Sequence, residues 1–155
     1  MSVDLKSKIN ILYIDDEKES LQLVNTFLHK LNPDRYNIVG ITDVNEGIGH
    51  MLSNKYDIVI SDLNLSSDLN GLDLFIFMNS SKKWKKVPFI IFSGSGIKGL
   101  HKKLKSHGIN HYISKQGNPE KIFKNLNETI IKSYRDAGIS SEFLNNGYNL
   151  GNGIF

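Results

Sequence analysis

Residues 57–65 read DIVISDLNL, and this run decides the fold. Ile58 to Ser61 favour a strand, and the apolar positions follow one another without polar alternation. That is the pattern of a strand buried on both faces, as in a parallel sheet. The run then meets a carboxylate, Asp62. A charge at the rim of a hydrophobic strand is costly unless something beside it compensates.

Similar runs recur on either side. INILYI (9–14), YNIVGIT (36–42), VPFIIFS (87–93) and NHYIS (110–114) read as four more strands. Helical patterns lie between them. In 17–31, Leu21, Val24, Phe27, Leu28 and Leu31 recur at helical spacing, and NPD breaks the pattern. Residues 44–55 predict a weaker helix, because Gly47 and Gly49 each cost helix stability. Residues 71–81 read as a helix whose apolar content leaves a strand open, and 96–108 as a short basic helix stopped by a glycine. A last helix is predicted over 118–138, with Asn118 as its cap and Pro119 in its first position. Ile122, Phe123, Leu126, Ile130 and Ile131 form one face of it. Regular alternation of strand and helix predicts an α/β fold, a doubly wound five-stranded parallel sheet with helices on both sides.

The length of 155 residues suits one domain with a substantial core, and 39% hydrophobic against 23% charged residues fits a globular chain. Without cysteine there are no disulfides and no thiolate chemistry. No leader pattern and no apolar run of membrane-spanning length is present, so a soluble cytoplasmic protein, with no membrane partner, is expected. The net charge of +3 does not by itself imply nucleic acid, and direct nucleic-acid binding is not expected. Lysines cluster in KKWKK (82–86) and KGLHKKLKSH (98–107), read first as solvated surfaces. After about residue 138 the chain turns rich in Asn and Gly, and 136–155 is read as a tail too short for a second domain.

In an open α/β sheet, chemistry gathers at the carboxyl ends of the strands. Asp15, Asp16 and Glu17 follow the first strand, Thr42 and Asp43 the second, and Asp62 the third. Ser93 ends the fourth, and Ser114 and Lys115 end the fifth. Taken singly, these have plain structural readings: an Asp after a strand caps a helix, a Ser makes a turn, a Lys is solvated. Taken together they form a set. Three like charges in one crevice repel. A hard divalent cation such as Mg²⁺, bound by oxygen ligands, removes the conflict. Lys115 is a point charge for a phosphate oxygen, and Ser93 a hydroxyl for another. Such an arrangement suits a transferred phosphoryl group, with Asp62 as the nucleophile.

The motifs ILYIDDE, DIVISDLNLSSDLNGLDLF, FIIFSG and HYISK, in this order and strand context, resemble the receiver domain of two-component response regulators. The resemblance covers about residues 8–135, with no output domain after it. It implies a flavodoxin-like (βα)5 fold with strand order 2-1-3-4-5. It implies Asp62 as phosphoacceptor, Asp16 as a direct Mg²⁺ ligand, Asp15 acting largely through water, and the Asn64 backbone carbonyl as a further ligand. Ser93 and Lys115 match its phosphate-binding pair, and Ser93 and Tyr112 its switch residues. Asn64 and Ser95 occupy positions that tune loss of the phosphoryl group.

The implied function is that of a phosphorylation-dependent switch, not a conventional enzyme. It takes its phosphoryl group from a histidine kinase or phosphotransfer protein. It signals through the face of the fourth helix, fifth strand and fifth helix. There Lys98, Lys102, Lys103, Lys105, His111 and Lys121 would present a basic surface to an acidic partner, and a homodimer is left open. His101, His107 and His111 match no metal-ligand spacing.

Two departures fall on loops. Ser66 stands where the family commonly has proline, and so does Gln116, after Lys115. A cis bond to a non-proline residue costs about 2.5–4 kcal/mol, so a trans bond or an altered loop is expected. Three rival readings stand beside the first. The alternative is a pseudo-receiver, a binding module not regulated by phosphate. A flavodoxin-like binder would use SGSG (93–96) as a phosphate cradle. A metal-dependent phosphohydrolase fits less well, because the first strand offers DDE rather than Asp-x-Asp.

Overall fold

The five runs read as strands all become strands, and the stretches between them become helices. The computed structural model describes residues 8–65, 68–94 and 98–145. The elements are β1 (Ile9–Ile14), α1 (Lys18–Leu31), β2 (Tyr36–Ile41), α2 (Val44–Ser53), β3 (Ile58–Ser61), α3 (Gly71–Asn79), β4 (Phe89–Ser93), α4 (Leu100–Ser106), β5 (His111–Ser114) and α5 (Pro119–Asn145). The five strands form one parallel sheet in the order β2-β1-β3-β4-β5, the flavodoxin-like order that the resemblance implies.

Side chains alternate across a strand, so each strand feeds two cores. Ile9, Ile11 and Tyr13 of β1 pack with Val24 and Leu28 of α1 and with Phe123, Leu126 and Ile130 of α5. Leu12 and Ile14 face the other way, toward Val44 and Met51 of α2, Leu74 and Met78 of α3, and Leu100 and Leu104 of α4. Burying each of these large aliphatic side chains contributes about 1.5–3 kcal/mol, which is why α3 forms a helix despite its apolar sequence. The first residue of the opening run is structural: the Asp57 carboxylate accepts from Asn10 N–H at 2.8 Å and fixes the start of β3 against β1.

Two glycines on this scaffold behave oppositely. Gly71 opens α3, and a Cβ there would lie 2.4 Å from the backbone oxygen of Asp62. Backbone cannot yield as a side chain can. Gly49, inside α2, has nothing within 4 Å of such a Cβ. Gly71→Ala is expected to destabilise the fold by about 1–3 kcal/mol through overpacking. Gly49→Ala should stabilise it by about 0.5–1 kcal/mol through helix propensity. Urea denaturation midpoints moving in opposite directions would check both. Gly47 explains the weakness read in α2: its missing side chain lets the helix approach Ile14, whose Cδ1 would sit 2.4 Å from an added Cβ.

Three sequence expectations need adjustment. α5 does not stop near residue 138 but runs through Gly138 to Asn145, since one glycine costs a long helix only about 1 kcal/mol. The last helical stretch therefore takes up half of the segment read as a tail, and residues 146–155 lie outside the described residues. The KKWKK cluster is not all solvated surface. Lys83 Nζ donates to the carbonyls of Met51 (3.2 Å) and Asn54 (3.1 Å) and lies 5.1 Å from the centre of the Trp84 ring. It thus ties the α3–β4 connection to the end of α2. His111 is half-buried, 3.4 Å from Ser133 Oγ. Burial, and then the charge of Lys132, hold its imidazole pKa below the ordinary value, so it is a weak contributor to any basic surface.

Candidate functional site

Parallel strands deliver their carboxyl ends to one edge, and the polar set collects there. β1 lies between β2 and β3, so the residues after β1 and β3 emerge side by side. Asp15, Asp16 and Asp62 offer carboxylate oxygens that all lie within 4.8 Å of one another. Asp15 is fully buried, Asp62 is 8% exposed, and Asp16 sits at the partly exposed mouth.

The capping reading of these aspartates does not hold. The N-cap of α1 is Glu17, without a side-chain cap bond, and that of α3 is Asn70, in a capping box with Asp73. Asp43 is the aspartate that caps, accepting from Glu46 N–H at 2.9 Å. Asp15 and Asp62 turn inward instead.

Lys115, directly after β5, crosses to both of them. Its Nζ lies 2.6 Å from Asp15 Oδ2, 2.9 Å from Asp62 Oδ2 and 3.3 Å from Ser20 Oγ, with the Phe92 ring centre 5.4 Å away. Burial alone would push the ammonium pKa down. The hydrogen bonds and charges of Asp15 and Asp62 outweigh it and raise the pKa above the ordinary lysine value. Lys115 is thus a fixed positive charge against the Asp62 carboxylate.

The remaining valences of Asp15 are filled by Tyr13, whose hydroxyl donates to Oδ2 at 2.6 Å, and by Glu17 N–H, which donates to Oδ1 at 3.0 Å. Burial first, and then the Asp15 charge, raise the Tyr13 hydroxyl pKa far above its usual value, so it stays a donor. Asp62 Oδ1 accepts from Asn64 N–H at 3.2 Å. Sequence reasoning took Tyr13 as a strand residue only and passed over Ser20. The signal for Tyr13 was its position two residues before Asp15, which puts both on one side of the extended chain as it leaves β1.

Ser93 ends β4, buried, on the strand next to β3. Tyr112 is partly buried on β5, and its ring centroid is 5.8 Å from that of His101. Burial raises the Tyr112 hydroxyl pKa, a hydrogen bond from Ser114 lowers it, and the charge of Asp62 raises it further. Ser66 and Ser95 lie outside the described residues, as does Gly96 of the SGSG stretch. Among the described residues every peptide bond is trans, including Lys115–Gln116.

The donor set fits a hard divalent cation. It is all oxygen, it carries three carboxylates, and among the described residues one lysine, Lys115, pairs with them. Among the described residues no histidine joins this cluster, and no other cluster of ligating side chains forms. The arrangement can hold a cation, an anion drawn to Lys115, and a nucleophilic carboxylate between them.

Comparisons with known proteins point the same way. The profile of the response regulator receiver domain matches residues 11–127. A probable chemotaxis protein CheY of Rhizobium etli is 26% identical over 120 residues, covering 77% of this chain and 91% of that protein. The structure of the chemotaxis response regulator CheY4 of Vibrio cholerae superposes with a TM-score of 0.67 at 20% identity, over 80% of this chain and 99% of that one. The phosphorylated cyanobacterial phytochrome response regulator RcpA gives 0.69 at 19% identity, over 79% of this chain and 91% of that one. At these identities the two structures bear on the fold alone.

Proposed function

The chain belongs to the response regulator receiver domain family, a family of two-component signalling domains rather than conventional enzymes, and we propose that it is a switch set by phosphorylation of Asp62. The observation that carries this reading is the Lys115 ammonium shared between buried Asp15 and Asp62, beside a cluster of three carboxylates. No reacting group of a phosphoacceptor site is missing, so nothing favours the pseudo-receiver. The receiver spans residues 8–135.

The donor is a phosphohistidine of a sensor kinase or phosphotransfer protein. The Asp62 carboxylate forms a bond to phosphorus as the bond from phosphorus to the donor's imidazole nitrogen breaks. The electron pair leaves with the imidazole. An apolar cavity of about 290 Å³ between α1 and α5, lined by Leu23, Phe27, Ile122 and Lys115 among others, opens beside the site and gives the donor protein a foothold.

Asp16 and the Asn64 carbonyl would hold Mg²⁺ directly with Asp62, and Asp15 would act through water. The cation supplies charge neutralisation for the transferring oxygens. Lys115 moves its hydrogen bond from Asp62 to a phosphoryl oxygen, and Ser93 donates to another. Tyr112 then turns inward, and the surface of α4, β5 and α5 is rebuilt. Lys98, Lys102, Lys103, Lys105 and Lys121 are all exposed there and suit an acidic protein partner. Asn64 and Ser95 set the rate of phosphoryl loss. Among the described residues no helix is long and apolar enough to cross a membrane, and a cytoplasmic location fits a kinase-fed switch.

Incubation with acetyl phosphate should add one phosphoryl group to the intact mass when Mg²⁺ is present, and none when it is chelated. No gain from acetyl phosphate or from a histidine-kinase donor, where a known receiver is modified, would remove this reading.

A further inference from the structure

Gln116 stands where a proline would leave the strand end without a donor, and it is well occupied. β4 and β5 pair through Ser93 and Ser114, and Lys115 N–H continues the ladder by donating to Ser93 O at 2.9 Å. The Gln116 side chain then adds one more rung. Its Nε2 donates to Gly94 O at 3.1 Å, across from β5 to the residue after Ser93. Its own N–H donates to Ser114 Oγ at 3.1 Å, and Ser114 lies two residues after Tyr112 on β5. One residue therefore touches the chain on both sides of the switch, at Gly94 beside Ser93 and at Ser114 beside Tyr112.

Ser93 has to approach a phosphoryl group on Asp62, and the chain that follows it has to move with it. A bond to Gly94 O holds that chain where it is. Gly94 has no side chain to anchor it otherwise, and a Cβ there would meet only Lys115 Cβ, at 3.9 Å.

We infer that Gln116 is a positioning residue: its side-chain amide latches the backbone after Ser93 to the strand end of Lys115, holds the domain in its unswitched form, and so limits the population of the phosphorylated form. This rests on the reading of Asp62 as acceptor. A bond favouring one of two states shifts their ratio by its own free energy. For a solvent-exposed hydrogen bond that is about twofold to fivefold.

The test is Gln116→Met, similar in length, neutral and without a donor. Relaxation dispersion at the Ser93 and Gly94 amides of the unphosphorylated protein should show an increased minor population, and phosphoryl uptake from acetyl phosphate should rise about twofold to fivefold. Gln116→Lys keeps a donor of similar reach and should return the Gly94 exchange to the wild-type level. A purely structural role would lower the denaturation midpoint without this pattern. Unchanged dispersion at Gly94 in Gln116→Met overturns the latch. If wild-type protein takes no phosphoryl group at all, the acceptor reading fails, and the dispersion at Gly94 still judges the latch alone.

Discussion

Asp62→Asn is expected to abolish the Mg²⁺-dependent gain of a phosphoryl group, with the mass unchanged after an incubation that modifies wild-type protein completely. The amide has the size of the carboxylate but is not a nucleophile toward phosphorus, and losing a reacting nucleophile removes about a 10³-fold factor or more. The fold should survive. Lys115 keeps its 2.6 Å contact with Asp15, and one of three crowded carboxylates has gone, so the urea midpoint should hold or rise. Intact mass and denaturation together separate a lost acceptor from a lost fold. Uptake that persists in Asp62→Asn would transfer the acceptor role to another carboxylate, with Asp16 at the mouth of the site the first to test.

Lys115→Met should lower both stability and reactivity. It leaves Asp15, fully buried, with the Tyr13 hydroxyl and Glu17 N–H as donors and no counter-charge. Breaking a buried pair by removing one partner costs about 3–5 kcal/mol. We expect about 3 kcal/mol, the lower end, because those two hydrogen bonds remain and Asp62 reaches water. Added Mg²⁺ should recover part of the lost urea midpoint in Lys115→Met, since a cation in the carboxylate cluster does the charge work of the lysine. Phosphoryl uptake should fall by about 10²–10³-fold, the loss typical of removing one group that stabilises developing charge. A midpoint within experimental error of wild type would mean that the ion pair is already matched by solvent.

The sheet was legible because its strands are continuous apolar runs, and β3 is the clearest of them. The helices were legible where their apolar residues keep helical spacing, as in α1, and less so where backbone contacts decide. Gly47 looks like a flaw in α2 until Ile14 is seen packed against it. Gly138 looks like an end to α5, but a long helix absorbs one such residue. At the site, the carboxylates and Lys115 could be read only as a set, because each alone has a plain use as a cap or a solvated charge, while together they fall on strand ends that meet at one edge. Tyr13 could not, because its aromatic ring satisfies the strand pattern and conceals the purpose of its hydroxyl. Lys83 was obscured by four lysines in a row of five residues, since composition cannot tell the one that caps α2 from the solvated ones. Gln116 was visible as a departure, but its bond to Gly94 depends on two loops meeting in space.

The contact between Lys115 and Asp15 joins residues 100 positions apart in the chain. Contacts of such separation form late, after the loop-closure entropy between them has been overcome. A nascent chain that has made β1, β3 and β4 has its acidic cluster but no lysine to complete it. On the proposed reading, full competence to take up a phosphoryl group arrives only once β5 has joined the sheet.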